Sequence, residues 1–285
     1  MRITLEQMRK LHDIQLDMFQ DLKRVMEELD VRYYFVHGSL LSAVTTHQFI
    51  EEDDDIDIAV FRKDYERLLE KGNALVSPRY FIQGSKNDDF PLSFGKFRNK
   101  ETEFDQPILK KHNCNKGIYI DIFPIDYVPA EETTTRKFRR LLLRIRTEAR
   151  LEKKRSWKQI CFLILSHLVY PSYRGAIRRR EALYASCEPG EYVTIFGGKA
   201  TEQKMRACWF GQGFTSTFCG MEVNCPSDSD AYLARIYGKN YKEKNPAEDR
   251  IWDDKSIEIS ASYVDFGDGC TIGQKENERE LFGKG

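Results

Sequence analysis

The sharpest pattern in the chain is the strict polar–apolar alternation of Asp55-Ile56-Asp57-Ile58-Ala59-Val60. A strand points successive side chains to opposite faces, so Ile56, Ile58 and Val60 share one face and Asp55 and Asp57 the other. Just upstream, Tyr33 to Val36 reads as an aromatic and β-branched strand. His37-Gly38-Ser39 then turns into the apolar segment Leu40 to Val44, a short helix. Earlier still, Leu5, Met8, Leu11, Gln15, Met18, Leu22, Val25 and Leu29 recur every three or four residues, which predicts a helix over 4–30 with a core-facing stripe. Thr4 and Gln7 fit a capping box at its start. Downstream the pattern predicts a helix from Lys63 to Lys71, strands over 92–98 and 117–126, a strand from Thr217 to Pro226, and a helix from Asp228 to Ile236.

The polar face of the alternating strand carries the candidate chemistry. Carboxylates at i and i+2 lie about 6.5–7 Å apart at Cα, close enough to grip divalent cations between them. Without a cation or a proton such a pair repels itself. A strand that runs through Gly38-Ser39 into a helix start offers backbone N–H groups and a hydroxyl to a phosphate; the plainer reading is a turn and a cap. Asp121 interrupts an apolar strand between Ile120 and Ile122, which is costly for an unpaired buried carboxylate. It is explained if Asp121 joins Asp55 and Asp57, or if it pairs with an arginine. Lys96 and Arg98 share one strand face and either offset phosphate charge or decorate an edge strand. Asp126 reads either as a turn residue or as a partner behind the site. His37, at a strand end, is a weaker candidate base.

Composition narrows the class. The 285 residues carry no net charge although 32% are charged, so bulk charge gives no argument for nucleic-acid binding. Met1 leads straight into the amphipathic pattern without a signal peptide. The longest apolar run, Ile160 to Tyr170, is too short for a bilayer span, which needs about 20 residues. Seven cysteines without a Cys-x-x-Cys pair suit unpaired thiols in a reducing compartment, so the expected location is cytoplasmic and zinc is disfavoured. Residues 136–180 hold fifteen Lys and Arg against two Glu, a local charge of +13 around the apolar run. Such a segment suits the anionic inner face of a membrane, or a helical hairpin that packs its apolar side on the core. No nucleic-acid motif accompanies the charge.

The segment Gly38-Ser39-Leu40-Leu41-Ser42-Ala43-Val44, His47-Gln48-Phe49-Ile50 and Asp53-Asp54-Asp55-Ile56-Asp57 resembles the LicD family of phosphotransferases, whose signature is shared by fukutin-type proteins. Ile120 to Asp126 is similar to its second signature, and Pro226, Tyr232-Leu233 and Tyr237-Gly238-Lys239-Asn240-Tyr241 to its closing segment. Ser42, Thr45 and Glu51-Glu52 depart from the family pattern. The resemblance implies an α+β fold, a polymerase-β-like nucleotidyltransferase mixed sheet with flanking helices. The expected layout is a catalytic core over 1–130, a basic helical insert over 131–180, the rest of the catalytic body over 181–265 and a flexible tail over 266–285. It also implies an enzyme that moves phosphocholine or a related phospho-alcohol from a CDP-activated donor to a glycan acceptor, which a lipid would present at the membrane surface. Asp55, Asp57 and Asp121 would be catalytic and hold Mg²⁺ or Mn²⁺, with Gly38, Ser39 and Lys96 on phosphate. Nucleotidyl transfer from an NTP, and an inactive scaffold, are the alternatives.

Overall fold

The computed structural model describes residues 1–128, 157–169, 171–195, 204–242, 256–273 and 275. A short strand β1 (Arg2–Thr4) leads into α1 (Leu5–Glu28), whose start is closed by the expected capping box: Gln7 N donates to Thr4 Oγ1 at 3.2 Å and Thr4 N to Gln7 Oε1 at 2.8 Å. The helix buries Met8, Leu11, Met18, Phe19, Leu22, Val25 and Met26, and with them two polar residues, His12 and Gln15. Next come β2 (Tyr33–Phe35), α2 (His37–Val44), β3 (Asp57–Phe61), α3 (Arg62–Lys71), β4 (Tyr80–Gln83), β5 (Gly95–Asn99), β6 (Glu103–Asp105) and β7 (Tyr119–Tyr127). Then follow α4 (Trp157–Val169), α5 (Tyr173–Ala185), β8 (Tyr192–Thr194) and β9 (Met205–Arg206). The described chain ends with β10 (Phe214–Phe218), β11 (Met221–Cys225), α6 (Ser229–Tyr237), β12 (Ser256–Glu258), β13 (Tyr263–Asp265) and β14 (Thr271–Gly273).

The central sheet is mixed, in the order β2-β3-β7-β5-β4, and β8 and β9 extend it from the far end of β7. β3 and β7 run parallel and their neighbours antiparallel. β3 and β7 are buried over nearly their whole length. That is the behaviour of central strands covered on both faces, and it accounts for the run of Ile and Phe in β7. The architecture is the expected α+β class.

Three readings need correction. The strand expected over 92–98 begins only at Gly95, because Leu92 O is held by the Arg180 guanidinium at 2.9 Å rather than by a sheet neighbour. The strand expected from Thr217 to Pro226 is a hairpin, β10–β11. Cys219 and Gly220 take φ of 49° and 77°, the left-handed pair that a tight turn between twisted strands requires. Asp126 is neither a turn residue nor part of the acidic site. It is fully buried at the far end of β7 and takes a bidentate pair from Arg62 at 2.6 and 2.7 Å. The boundary read at 180 falls inside α5, where Arg62 also donates to Glu181 at 2.8 Å and Arg180 grips the same carboxylate. This buried chain of charges fastens α5 to α3 and to the catalytic sheet. β14 lies within the segment read as a tail, closing a hairpin on β13, which pairs with β6. Residues 131–156 of the basic segment lie outside the described residues.

Candidate active site

The strand register brings the predicted residues together. Asp57 on β3 stands opposite Asp121 on β7, and Asp121 stands opposite Lys96 on β5. Three charged side chains thus form one row across three adjacent strands. Asp55, two residues before Asp57, completes a group: Asp55, Asp57 and Asp121 each place a carboxylate oxygen within 4.8 Å of the others. Asp57 and Asp121 are buried and Asp55 half-buried.

Several contacts fix this geometry. Asp121 N donates to Ile56 O at 2.8 Å and Val36 N to Asp57 O at 3.1 Å, which locks the acidic loop into the sheet. Asp57 N donates to the Ser39 hydroxyl at 2.8 Å, so the start of α2 braces β3. A Cβ at Gly38 would collide with the Asp53 carboxylate, so glycine makes room for the acidic loop. Both residues therefore have structural work beside the carboxylates. His37 has φ of 50° and is buried, with its ring edge-on to Phe123 and its Nδ1 3.2 Å from the Tyr232 hydroxyl. Burial depresses its pKa to about 3, which makes it a poor proton acceptor at neutral pH.

The electrostatics leave room for a cation. Burial, then Asp57 and Asp53, push the Asp55 carboxyl well above the usual carboxylate range; burial, then Asp121, do the same to Asp57. Burial also raises Asp121 and lowers Lys96, and the contact between them opposes both shifts. Lys96 donates to Asp121 Oδ1 and sits 3.2 Å from the centroid of the Tyr119 ring. One lysine thus faces three carboxylates, and the donor set is all oxygen. Hard divalent cations such as Mg²⁺ or Mn²⁺ fit such a set.

Arg98 is fully buried behind this row, with Nε on Gln83 Oε1 at 2.9 Å and Nη1 on Gly117 O at 2.7 Å. These two bonds tie β5 to Gln83 of β4 and to the segment before β7. Sequence reasoning missed three contributors. Gln15, counted among the apolar stripe, donates to Asp54 O at 2.8 Å and Tyr119 O at 3.2 Å, tying together the two segments that carry the acids. His12 Nε2 lies 2.8 Å from Asp53 O, so that nitrogen carries the proton, and its ring stacks on Phe49 at 3.8 Å. Ser260 donates through N and Oγ to Asp54 Oδ2 at 2.8 and 3.0 Å from the far end of the chain. The only hint was a glutamine on an otherwise apolar helix face. The Tyr232 hydroxyl of α6 meets His37 Nδ1 at 3.2 Å, which brings the closing segment to the start of α2, beside the acidic strands.

Residues 30–152 match the family model described as LicD/FKTN/FKRP, nucleotidyltransferase domain, and the matched span contains all three acids and Lys96. Over that span the chain is similar to the LicD family. It is also similar to the lipopolysaccharide cholinephosphotransferase LicD of Haemophilus influenzae. The two are 24% identical over 259 residues, covering 87% of this chain and 94% of the relative. The matched span supplies β2, α2, β3, β5 and β7, the elements that carry the row of charges.

Proposed function

We propose that this chain is a metal-dependent phosphotransferase that moves phosphocholine or a similar phospho-alcohol from a CDP-linked donor to a hydroxyl of a cell-surface glycan. The observation that carries the reading is the convergence of Asp55, Asp57 and Asp121 within 4.8 Å, beside a single buried lysine. The cholinephosphotransferase named above supports the choice of transferred group and of a lipopolysaccharide-type acceptor.

Asp55, Asp57 and Asp121 would hold Mg²⁺ or Mn²⁺, which when bound offsets the charge of the donor diphosphate and of the departing nucleotide. Lys96 adds a fixed positive charge beside Asp121. The N-terminus of α2, at Gly38 and Ser39, supplies donors for a phosphate while the Ser39 oxygen keeps β3 in place. The acceptor hydroxyl attacks the phosphorus that bears the alcohol, the bond to CMP breaks, and CMP leaves with the electron pair. Asp121, whose carboxyl burial has made more basic, takes the hydroxyl proton.

Incubating the purified chain with Mn²⁺ and a panel of CDP-alcohols tests this. Release of CMP that depends on both metal and acceptor supports the proposal. Release of pyrophosphate from CTP, with no CMP from any CDP-alcohol, replaces it with nucleotidyl transfer. Absence of metal-dependent CDP binding in calorimetry would make the chain a scaffold.

A further inference from the structure

α4 carries an apolar stripe at helical spacing, and the stripe faces outward. Trp157, Ile160, Ile164 and Leu168 recur every three or four residues, which places them along one side of the helix. On α1 the same spacing is buried. Here Trp157 is 70% exposed, Ile164 63% and Leu168 80%, and Leu165 and Val169 widen the bare face. Exposing a contiguous apolar face of this size to water is costly, and on soluble chains it marks a contact surface.

The charge around the stripe identifies the contact. In sequence Lys153-Lys154-Arg155 lie two to four residues before Trp157, and Arg178-Arg179 follow the helix within ten residues. Arg178 and Arg179 are exposed, and the Arg179 guanidinium donates to Val169 O at 3.3 Å, which places a cation at the last residue of α4. A protein partner for an apolar face needs no such excess of one sign near it in sequence, whereas an anionic lipid surface favours it. Thirteen residues are too few to cross a bilayer, for which about 20 are needed, so the helix would lie in the interface plane. No helix among the described residues is long and apolar enough to span.

We infer that α4 is an interfacial helix that docks the protein on an anionic membrane, with Trp157, Ile164 and Leu168 entering the headgroup–acyl boundary and Arg178 and Arg179 on lipid phosphates. The helix that follows it is not loosely attached. Glu181 of α5 binds Arg62, and Arg180 binds Leu92 O three residues before β5, so docking through α4 is mechanically continuous with the catalytic sheet. This inference does not depend on the reaction proposed above.

Flotation of the full chain with vesicles tests it. The chain floats with vesicles of phosphatidylcholine containing about 30% phosphatidylglycerol, at least about tenfold more than with phosphatidylcholine alone, and raised salt weakens the effect. The neutral double substitution Ile164→Gln/Leu168→Gln leaves charge unchanged and lowers flotation by about tenfold or more, with the circular dichroism spectrum preserved. If that variant misfolds, Trp157→Ser, at a more exposed position than Ile164, gives the same readout with a smaller loss. Failure of the full chain to float with anionic vesicles overturns the inference. So does flotation that these substitutions leave unchanged, since charge alone would then explain it. A dimer in solution that the substitutions split, without flotation, overturns it in favour of a second copy of this chain.

Discussion

Asp57 and Asp121 stand directly opposite one another on adjacent parallel strands, and both are buried. Opposed residues of a parallel pair share a sheet face, so the register itself forces the two carboxylates together. Asp55 adds a third from the loop, and Lys96 the only opposing charge in the row. Burying so much like charge is unfavourable unless protons or cations relieve it. A bound cation would relieve that repulsion, and the gain in stability can be measured.

Replacing Asp57 with Asn removes the central carboxylate while keeping its shape. Turnover should fall on the order of a thousandfold. Without metal the variant should be at least as heat-stable as the wild type, because repulsion is relieved. The wild type should gain melting temperature with Mn²⁺ and the variant little. Scanning fluorimetry with and without Mn²⁺, alongside a turnover assay, checks this; normal turnover in the variant would refute the assignment.

Lys96→Met strips Asp121 of its buried partner. The expected cost is about 3–5 kcal/mol, the usual penalty for breaking one side of a buried pair. Adding Asp121→Asn should restore part of it, since no buried charge is then left alone. Urea unfolding of the two single variants and the double variant gives the coupling, expected to exceed about 1 kcal/mol. Additive effects would mean that the two side chains do not depend on one another.

The parts of this protein that were legible in its sequence are those set by local period and by a shared motif. The α1 stripe, the alternation around Asp57 and the lone acid in an apolar strand each report a local geometry, and Asp55, Asp57, Asp121 and Lys96 do meet. What stayed hidden depends on contacts distant in sequence. Asp126 pairs with Arg62, 64 residues away, and no pattern marks that choice over a metal-site role. Ser260 reaches Asp54 across 206 residues. The β10–β11 hairpin was read as one strand because alternation runs unbroken through Cys219-Gly220, and only the left-handed backbone there reveals the turn. Gln15 occupies a core position, as its spacing says, but its amide works on the acidic loop.

That amide supports a third test. Gln15→Leu keeps the volume and removes both hydrogen bonds, to Asp54 O and Tyr119 O. One buried and one part-buried carbonyl then lose a donor, at a cost of about 1–3 kcal/mol. The loop carrying Asp55 and the strand carrying Asp121 also lose their common tie, so Mn²⁺ affinity should drop by about tenfold. Calorimetric titration reads the affinity, and a loss of stability with unchanged affinity would reduce Gln15 to a packing residue.

His37 offers a test that depends on pH. It is buried in the neutral form, with its pKa depressed by burial to about 3, whereas an unfolded histidine titrates near 6.5. Between those values the unfolded chain binds a proton that the folded chain refuses, so acidification favours unfolding by roughly 1.4 kcal/mol per pH unit. The stabilisation is complete above the unfolded value and is lost as pH falls toward the folded one. His37→Asn accepts the left-handed φ of 50° but does not titrate. The raised carboxyls at 55, 57 and 121 act in the opposite sense and are common to both proteins, so they cancel in the comparison. The stability of the wild type relative to His37→Asn should therefore climb as pH rises from about 4 to about 6.5 and level off above it. Urea midpoints of both proteins across that range read the difference, and a gap independent of pH would show that the imidazole is not held neutral in the fold.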